Sequence, residues 1–242
     1  MKCYVYDSTF EGIFTSAYYA LKNKETPKIY SKLNYEPCFL LEHIEIETNL
    51  EIYKKVKNAL IKISAKTFTY LEVAFKSNSD NRHEVIFNCI IKTILVKKDL
   101  LLNFSDFHFF NLNKIVDAVR LEAHRFLGFI RFSKSQNGVF YACFEPDNDI
   151  IDLILPHFKK RFYAMPFILH DVKNGKLYAT FKGKTERHFN LYKKAKISDD
   201  YAKLFKTYYD TVFIKERKNE RQTYNYMPRR YHKNMPEKNE LL

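Results

Sequence analysis

Apolar and polar positions repeat with two different periods along this chain, and each period predicts one kind of element. Alternation with a period of two predicts three short strands, over residues 3–6, 27–32 and 42–48. Apolar side chains with helical spacing run from Leu50 to Ser64, and the helical pattern continues through Val96 with a break near residues 77–81. The N-terminal half of the chain is therefore predicted to consist mainly of helices.

The first helix is predicted to begin just after the first strand. Ser8 and Glu11 have the spacing of a capping box, in which each side chain bonds the free backbone N–H of the other residue. A strand, a tight turn and a helix start also form a geometry in which backbone N–H groups bind an anion. The capping box alone accounts for the residue types, and anion binding is the alternative.

The second half of the chain predicts two hairpins with a helix between them. A helix over residues 111–127 is expected to end at Gly128. Asn137-Gly138 and Asn174-Gly175 each supply the positive φ that a tight turn needs, and each lies between two strand-like runs. The four runs cover residues 129–133, 139–144, 167–172 and 176–181. The helix between the hairpins covers residues 150–162 and has a basic end.

These elements predict an α+β fold in which the two hairpins form a small antiparallel sheet with a helix packed on it. Residues 182–198 are polar and basic and are predicted to be a linker. A C-terminal helix is predicted from Tyr201 to about Tyr224, followed by an extended basic tail. We expect a single domain over residues 1–242, which can be subdivided into a helix-rich part, 1–110, and a hairpin part, 111–242.

The chain has a formal net charge of +13, and this charge is concentrated near the C-terminus. Residues 215–238 contain eight Lys and Arg and three Glu, a net charge of +5. Polyanions, nucleic acid above all, attract such a chain electrostatically. For the body of the chain, the alternative is that its Lys, Asn and Tyr content reflects genome base composition and a solvated surface. Arg dominates the C-terminal segment, and its planar guanidinium fits phosphate or a base edge.

Missing motifs exclude several classes of protein. The five glycines leave no G-x-G-x-x-G motif and no P-loop. The four cysteines are far apart, so they predict no local zinc site and no disulfide framework, and reduced, mostly buried thiols are expected. No apolar run approaches the roughly 20 residues that span a bilayer. The N-terminus lacks the pattern of a signal peptide, and a cytoplasmic protein without membrane contact is expected.

The helix that ends near residue 127 has side chains suited to a phosphate. Arg120 and His124 lie one helical turn apart on the same face, Arg125 is adjacent, and Arg131 follows. Arginines bind the charge of a phosphate, and an imidazole donates a hydrogen bond or transfers a proton. The alternative is a solvated helix face with His124 hydrogen-bonded at the edge of the core. His124 is our first candidate catalytic residue, and the three arginines are candidate phosphate ligands.

A second group of candidates follows the first hairpin. Glu145, Asp147 and Asp149 lie at a strand-to-helix junction, where carboxylates can bind Mg²⁺ or act as an acid/base pair. Helix N-termini also favour carboxylates, and an N-cap role is favoured for Asp149. Glu145 emerges directly from the strand and is therefore the second candidate catalytic residue.

The next helix carries His157 and Arg161 one turn apart, and both are candidate ligands of nucleic acid or phosphate. A metal site built from His124, His157, Glu145 and Asp171 is the alternative use of these side chains. No H-E-x-x-H motif supports it. We therefore assign no metal site and expect no cofactor in this chain.

The C-terminal segment combines arginines with amide side chains and aromatic rings. Basic residues interleaved with aromatic residues suit a sugar–phosphate chain with unstacked bases. The candidate nucleic-acid ligands in this segment are Arg217, Asn219, Arg221, Gln222, Arg229, Arg230 and Tyr231. The alternative is a terminal helix docked on the domain, with its arginines paired to acidic residues.

Four stretches of this chain, taken in order, resemble one bacterial family. They are YDSTFEG (residues 6–12), LEAHRFLGFIRF (121–132), EPD (145–147) with PHFKKRF (156–162), and ERKNERQ (216–222) with MPRRY (227–231). The set is similar to the uncharacterised "probable DNA metabolism protein" family. That family is associated with a radical S-adenosylmethionine (SAM) partner protein, and in some bacteria the same domain is fused to a uracil-DNA glycosylase-superfamily domain.

The resemblance implies a role in DNA repair or modification with a radical SAM enzyme, which would carry SAM and an iron–sulfur cluster. It implies no reaction for this chain, which lacks the glycosylase pattern G-x-D-P-G, so such chemistry is expected of a partner. We expect a protein that binds nucleic acid, DNA above RNA. The alternatives are an enzyme that uses His124 and Glu145 itself, and an adaptor for the radical SAM partner. The family tends to have Gly at the position of Ser8 and Trp at Phe205 and His232.

Overall fold

The computed structural model describes residues 2–36, 42–135, 137–193, 207, 211, 221 and 225–235. The chain divides into two compact units, Met1–Val119 and Arg120–Leu242. Each unit combines helical residues with a β-sheet, so the predicted α+β class is confirmed. No helix within the described ranges is long and apolar enough to cross a membrane.

The sheet of the first unit has its most buried strand in the centre. Strands β1 (Lys2–Tyr6), β2 (Lys28–Ser31) and β3 (Glu42–Ile46) confirm the three predicted strands. Both β2 and β3 pair with β1 in parallel. Parallel neighbours need a long crossover connection, and helix α1 (Phe10–Asn23) lies in the connection between β1 and β2.

Helix α1 begins later than the sequence predicts. Its N-cap is Thr9, whose hydroxyl accepts the backbone N–H of Gly12 at 2.9 Å, so the predicted Ser8–Glu11 capping box is wrong. Ser8 instead has a left-handed φ of +68° and turns the chain between β1 and α1. Most side chains avoid this region and glycine does not. The left-handed φ of Ser8 therefore explains why the family that this chain resembles tends to have Gly at this position.

Three long helices follow in the chain, α2 (Leu50–Phe75), α3 (Arg82–Val96) and α4 (Phe107–Phe129). The break predicted near residues 77–81 separates α2 from α3. Helix α2 is kinked at Ser64, whose hydroxyl accepts the backbone N–H of Thr67 at 3.0 Å. Ser64 therefore caps the second half of α2, as a serine at a helix N-terminus does. The helix predicted over residues 50–64 ends at this kink.

The sheet of the second unit contains five strands in sequence order. They are β4 (Ser133–Lys134), β5 (Phe140–Phe144), β6 (Phe167–Asp171), β7 (Lys176–Phe181) and β8 (Lys184–His188). Both Asn-Gly hairpins are confirmed, with Gly138 at φ +77° and Gly175 at φ +65°. The sheet is not wholly antiparallel, because β5 and β6 run parallel. Helix α5 (Ile151–Arg161) is the crossover that this pair requires.

Two predicted boundaries in this region are wrong. Helix α4 runs through Gly128 to Phe129, and β4 is left with two residues. Residues 184–188 of the predicted linker form β8, which pairs antiparallel with β7. The sequence did not reveal β8 because it lies at the edge of the sheet and is mostly exposed, so its side chains are polar. The predicted C-terminal helix falls mainly outside the described residues.

Gly12 lets α1 approach the sheet closely. A Cβ at this position would lie 2.7 Å from the ring of Tyr6 and 2.9 Å from the hydroxyl of Thr48. We expect Gly12→Ala to lower the free energy of unfolding by about 1–3 kcal/mol, as overpacking does. Urea denaturation followed by circular dichroism measures the loss. Gly128→Ala is the matched control, because a Cβ there meets nothing within 4 Å; equal stability of the two variants would contradict the close approach.

Candidate functional site

The parallel pair of β5 and β6 gives the sheet of the second unit two chemically different edges. Phe144 pairs with Asp171 where both strands end, and Phe140 pairs with Phe167 where both strands begin. Carboxylates gather at the first edge, which we call the carboxylate edge and define by Glu122, Asp147, Asp149 and Asp171. Cations gather at the second edge.

Glu122 on α4 is a buried carboxylate that our sequence reasoning did not select. The residue is 5% exposed. Its carboxylate accepts the backbone N–H of Asp147 at 2.7 Å, the backbone N–H of Asn148 at 2.9 Å and the side-chain amide of Asn148 at 2.6 Å. These donors offset the cost of burying a charge. A signal was present, because Glu122 lies three residues after Val119 and four before Phe126, on the apolar face of α4.

Tyr231 joins the C-terminal segment to Glu122. Its hydroxyl donates to Glu122 Oε1 at 2.6 Å and lies 3.1 Å from Asp147 Oδ2. The ring packs edge-on against Phe126 with centroids 4.9 Å apart, and the residue is 5% exposed. Arg230 pairs with the same Asp147 oxygen at 2.7 Å. The short 3₁₀ helix Arg229–Asn234 is therefore held on the second unit by buried contacts.

Burial and neighbouring charges shift the pKa values of Tyr231 and Asp147 in opposite directions. Burial raises the pKa of Tyr231, and the hydrogen bond to Glu122 raises it further, so the hydroxyl stays protonated and remains a donor. Burial opposes ionisation of Asp147, but the hydrogen bond from Lys173 and the charge of Arg230 hold its pKa below the ordinary value. A neutral donor and an ionised acceptor therefore meet at this point.

Asp149 and Asp171 form the other half of the carboxylate edge. The N-cap of α5 is Ile150, which makes no side-chain capping bond, so the predicted cap role of Asp149 is wrong. Asp149 pairs instead with Lys176 at 2.5 Å. Asp171 is fully buried and accepts the backbone N–H and the side-chain amide of Asn174 at 3.0 and 2.7 Å. Burial raises the pKa of Asp171 to about 6, although the bonds from Asn174 oppose this change.

The candidates on α4 and α5 have different surroundings. Arg120 and His124 are exposed on α4, and Glu145 is half-buried after β5. Arg125 donates to the backbone carbonyl of Asn225 at 3.2 Å, and Arg131 donates to the carbonyl of Gly128. The two candidates on α5, His157 and Arg161, are exposed. The catalytic roles of His124 and Glu145 stay predictions.

The C-terminal candidates are described only in part. Arg217, Asn219 and Gln222 lie outside the described residues. Arg221 and Arg229 are exposed, whereas Arg230 is paired with Asp147 and Tyr231 is buried. Within the described ranges, no group of three His, Cys, Asp or Glu residues could hold a metal ion, and the set His124, His157, Glu145 and Asp171 is no exception.

The opposite edge of the sheet is basic. One row of paired positions crosses it from Lys134 through Phe140, Phe167 and Thr180 to Thr185. The end of helix α5 lies at this edge: the ring of Phe162, which follows the helix, packs against those of Phe140 and Phe167 with centroids 5.2 and 5.4 Å apart. The cations that gather here, which we call the basic edge, are Lys134, Lys159, Lys160, Arg161, Lys182 and Lys184.

The cations of the basic edge have few acidic neighbours in sequence, and the nearest is Glu186, two residues after Lys184. Residues 132–144, 153–170 and 172–185 contain no Asp or Glu. The cations of the carboxylate edge are ion-paired, with Lys173 and Arg230 on Asp147 and with Lys176 on Asp149. In the described part of the chain, no carboxylate is ion-paired with Lys160, Lys182 or Lys184. Among the described residues, Lys160, Lys182 and Lys184 therefore leave positive charge at the basic edge without an ion-paired carboxylate.

A pocket of about 200 Å³ opens within the basic edge, between the end of α5 and the turn from β7 to β8. Three lysines and three aromatic rings contribute to its walls, Lys159, Lys160, Lys182, Phe162, Tyr163 and Phe167. The ammonium of Lys159 donates to the backbone carbonyl of Gly183 at 3.2 Å and so joins the helix end to the turn. Tyr163 is 83% exposed and Phe181, at the end of β7, is 51% exposed. Cations and the open face of Tyr163 thus share the mouth of one pocket.

We expect Tyr231→Phe to destabilise the second unit while leaving its ring packing intact. The change removes the hydroxyl donor and leaves the buried Glu122 carboxylate with one partner fewer, which costs about 1–3 kcal/mol in the free energy of unfolding. Urea denaturation measures the difference. Tyr226→Phe is the control, because Tyr226 is 66% exposed. Equal midpoints for the two variants would show that the Tyr231–Glu122 bond adds nothing to stability.

Asp171 predicts a pH dependence of stability with a defined sign. Its pKa is about 6 in the folded chain against an ordinary 3.8, so the unfolded state ionises first as pH rises. The carboxyl therefore favours folding fully below pH 4 and disfavours it above pH 6. As pH rises between these limits, we expect the free energy of unfolding of Asp171→Asn to increase relative to that of the parent protein by up to about 3 kcal/mol. Unfolding free energies of both proteins across this range test it, and parallel curves would contradict the assignment.

Comparison with known proteins places the chain in a family without assigning it a reaction. No curated protein matches it, and no solved structure matches it. One family model does match, over residues 80–237, and its description is a domain of unknown function, DUF4130. That range includes α3, α4 and every strand of the second sheet, and with them both the carboxylate edge and the basic edge. The chain belongs to the DUF4130 family.

Proposed function

We propose that this chain is a nucleic-acid-binding protein of DNA metabolism that acts together with a radical SAM enzyme. The observation that carries the proposal is the basic edge, where six cations from three separate segments lie together and the nearest carboxylate in sequence is Glu186, two residues after Lys184. Phosphates attract such a surface, and release of their counterions favours binding. DNA is the favoured partner.

Helix geometry alone does not account for the basic edge. Cations in the last turn of a helix interact favourably with its dipole, and this explains Lys159, Lys160 and Arg161 on α5. It does not explain Lys182 and Lys184, which belong to the turn and strand beyond β7. A shared anionic ligand accounts for all of these residues.

The basic edge is a better primary contact than the C-terminal residues chosen from sequence. Arg230 is paired with Asp147, and the ring of Tyr231 is buried. Arg125 is bonded to the backbone at Asn225. The net charge of +5 in residues 215–238 adds to the attraction. We assign this segment a supporting electrostatic role.

The context of DNA metabolism is supported by resemblance. Four motifs in order are similar to a family associated with a radical SAM protein, and three of the four lie within the residues that DUF4130 matches. Glycosylase or radical chemistry is assigned to the partner, since this chain has no G-x-D-P-G pattern. On this proposal, the chain supplies the nucleic-acid contact.

A second function, docking on the radical SAM partner, is favoured by the anchored C-terminal segment. The buried Tyr231 and the Arg230–Asp147 pair hold residues 229–234 in one place on the second unit. A fixed segment of this kind presents a constant surface to another protein. Co-purification with the partner that survives nuclease and is lost on truncation after Lys206 would support docking.

Binding to DNA should depend on the charge of the basic edge. We expect a triple change of Lys160, Lys182 and Lys184 to Gln to weaken binding at ~50 mM salt by at least about tenfold, and to reduce the slope of log K against log salt by about 2–3. Fluorescence anisotropy with labelled DNA measures both quantities.

The matched control is the triple change of Lys22, Lys24 and Lys28 to Gln. These lysines are exposed on the first unit, and Lys24 shares the positive φ of Lys182. The control removes the same charge and should weaken binding much less. Absence of DNA binding by the parent protein at ~50 mM salt would overturn the proposed function.

A further inference from the structure

We propose that the ligand of the basic edge is single-stranded nucleic acid, with one base stacked on Tyr163 at the mouth of the pocket. This inference rests on the proposed function and specifies its substrate class. It comes from the combination of cations with the exposed ring of Tyr163 at one pocket, which charge alone does not require.

The exposed ring of Tyr163 lies at the mouth of a pocket that lysines also line. Single exposed aromatic residues are common on protein surfaces. Here, Tyr163 is 83% exposed at the end of α5, and Phe181 is 51% exposed at the end of β7. Both elements end at the basic edge, and Lys182 lies over the ring of Phe181 at 5.3 Å. Aromatic faces among cations are the arrangement that holds unstacked bases and their phosphates together.

The pocket has the size for one planar group. Its volume of about 200 Å³ is below the roughly 300–1,000 Å³ of pockets that enclose a drug-sized ligand. Phe162 and Phe167 form an apolar part of the pocket wall, and Lys159, Lys160 and Lys182 line the rest of it together with their neighbours. Gly183 has a φ of +78° and no side chain, so it does not obstruct the pocket beside Lys182. One base can therefore enter while the adjoining phosphates meet the lysines.

Strandedness follows from what the rings can reach. In a duplex, each base is stacked on its neighbours and shows only its edges in the grooves. In a single strand, bases can splay out and stack on side chains. Tyr163 therefore gains a stacking partner only from a single strand. An acidic peptide would satisfy the lysines, but it offers no planar face to the rings.

The test compares single-stranded and duplex DNA of the same length, about 15 nucleotides, with the full chain. We expect tighter binding of the single strand. Tyr163→Ala should weaken single-strand binding by roughly tenfold, within the range a stacked base contributes. Tyr163→Phe, which keeps the ring, should bind like the parent protein. Phe104→Ala is the control, because Phe104 is 56% exposed on the first unit.

Two further readouts separate the ring from the charge. A single strand that contains 2-aminopurine should lose fluorescence on binding the parent protein and the Tyr163→Phe variant, because stacking quenches this base, but much less on binding Tyr163→Ala. The slope of log K against log salt should be the same for all three proteins, since no cation is removed. If the fluorescence fell as much on binding Tyr163→Ala as on binding the parent protein, the assignment of Tyr163 as the stacking residue would be overturned.

The outcomes distinguish this inference from the proposed function. Equal affinity for single strand and duplex, with Tyr163→Ala affecting neither, overturns the inference and leaves nucleic-acid binding in place. Competition by polyglutamate as effective as that of the single strand at equal charge overturns the inference in favour of a general polyanion surface. Failure to bind either form of DNA overturns both proposals.

Discussion

The parallel pairing of β5 with β6 is the constraint on which the architecture of the second unit depends. Two parallel strands need a crossover, so α5 must carry the chain from the end of β5 back to the beginning of β6. The loop that begins at Glu145 therefore lies at the carboxylate edge, and the basic last turn of α5 lies at the opposite edge. Asp152 and Lys159 are seven residues apart in sequence, yet they belong to opposite ends of the helix.

The two edges use their charge differently. At the carboxylate edge, the buried Glu122 accepts four hydrogen bonds, and Asp147 is ion-paired with Lys173 and Arg230. Such compensation lets a buried carboxylate stabilise a segment instead of opposing folding. The basic edge keeps its charge directed to solvent, where it attracts an anion over a Debye length of about 8–10 Å. The carboxylate edge thus stabilises the fold, whereas the basic edge is the surface that we propose binds a ligand.

Local signals predicted correctly those elements that depend on their own residues. Asn137-Gly138 and Asn174-Gly175 identified both hairpins because positive φ is a property of the residue itself. The start of α1 was wrong because Ser8 and Thr9 are both good caps. Contacts with residues outside α1 decide between them, since the Ser8 hydroxyl bonds Ser31 on β2 and the Thr9 hydroxyl bonds Thr48, two residues after β3, at 3.1 Å. The N-cap role predicted for Asp149 is wrong for the same reason, because Lys176 on β7 forms an ion pair with that carboxylate.

The sequence by itself determined the α+β class, the long helices, the turn positions and the basic character of the chain. Periodicity, glycine turns and net charge are local or summed properties, so they need no knowledge of packing. Only the tertiary structure decided the parallel direction of β5 and β6, the pairing of β8, and the burial of Glu122 under Tyr231, 109 residues away. It also assembled the basic edge from three segments. These features depend on contacts between residues far apart in the chain, and such contacts exist only once the sheet has formed.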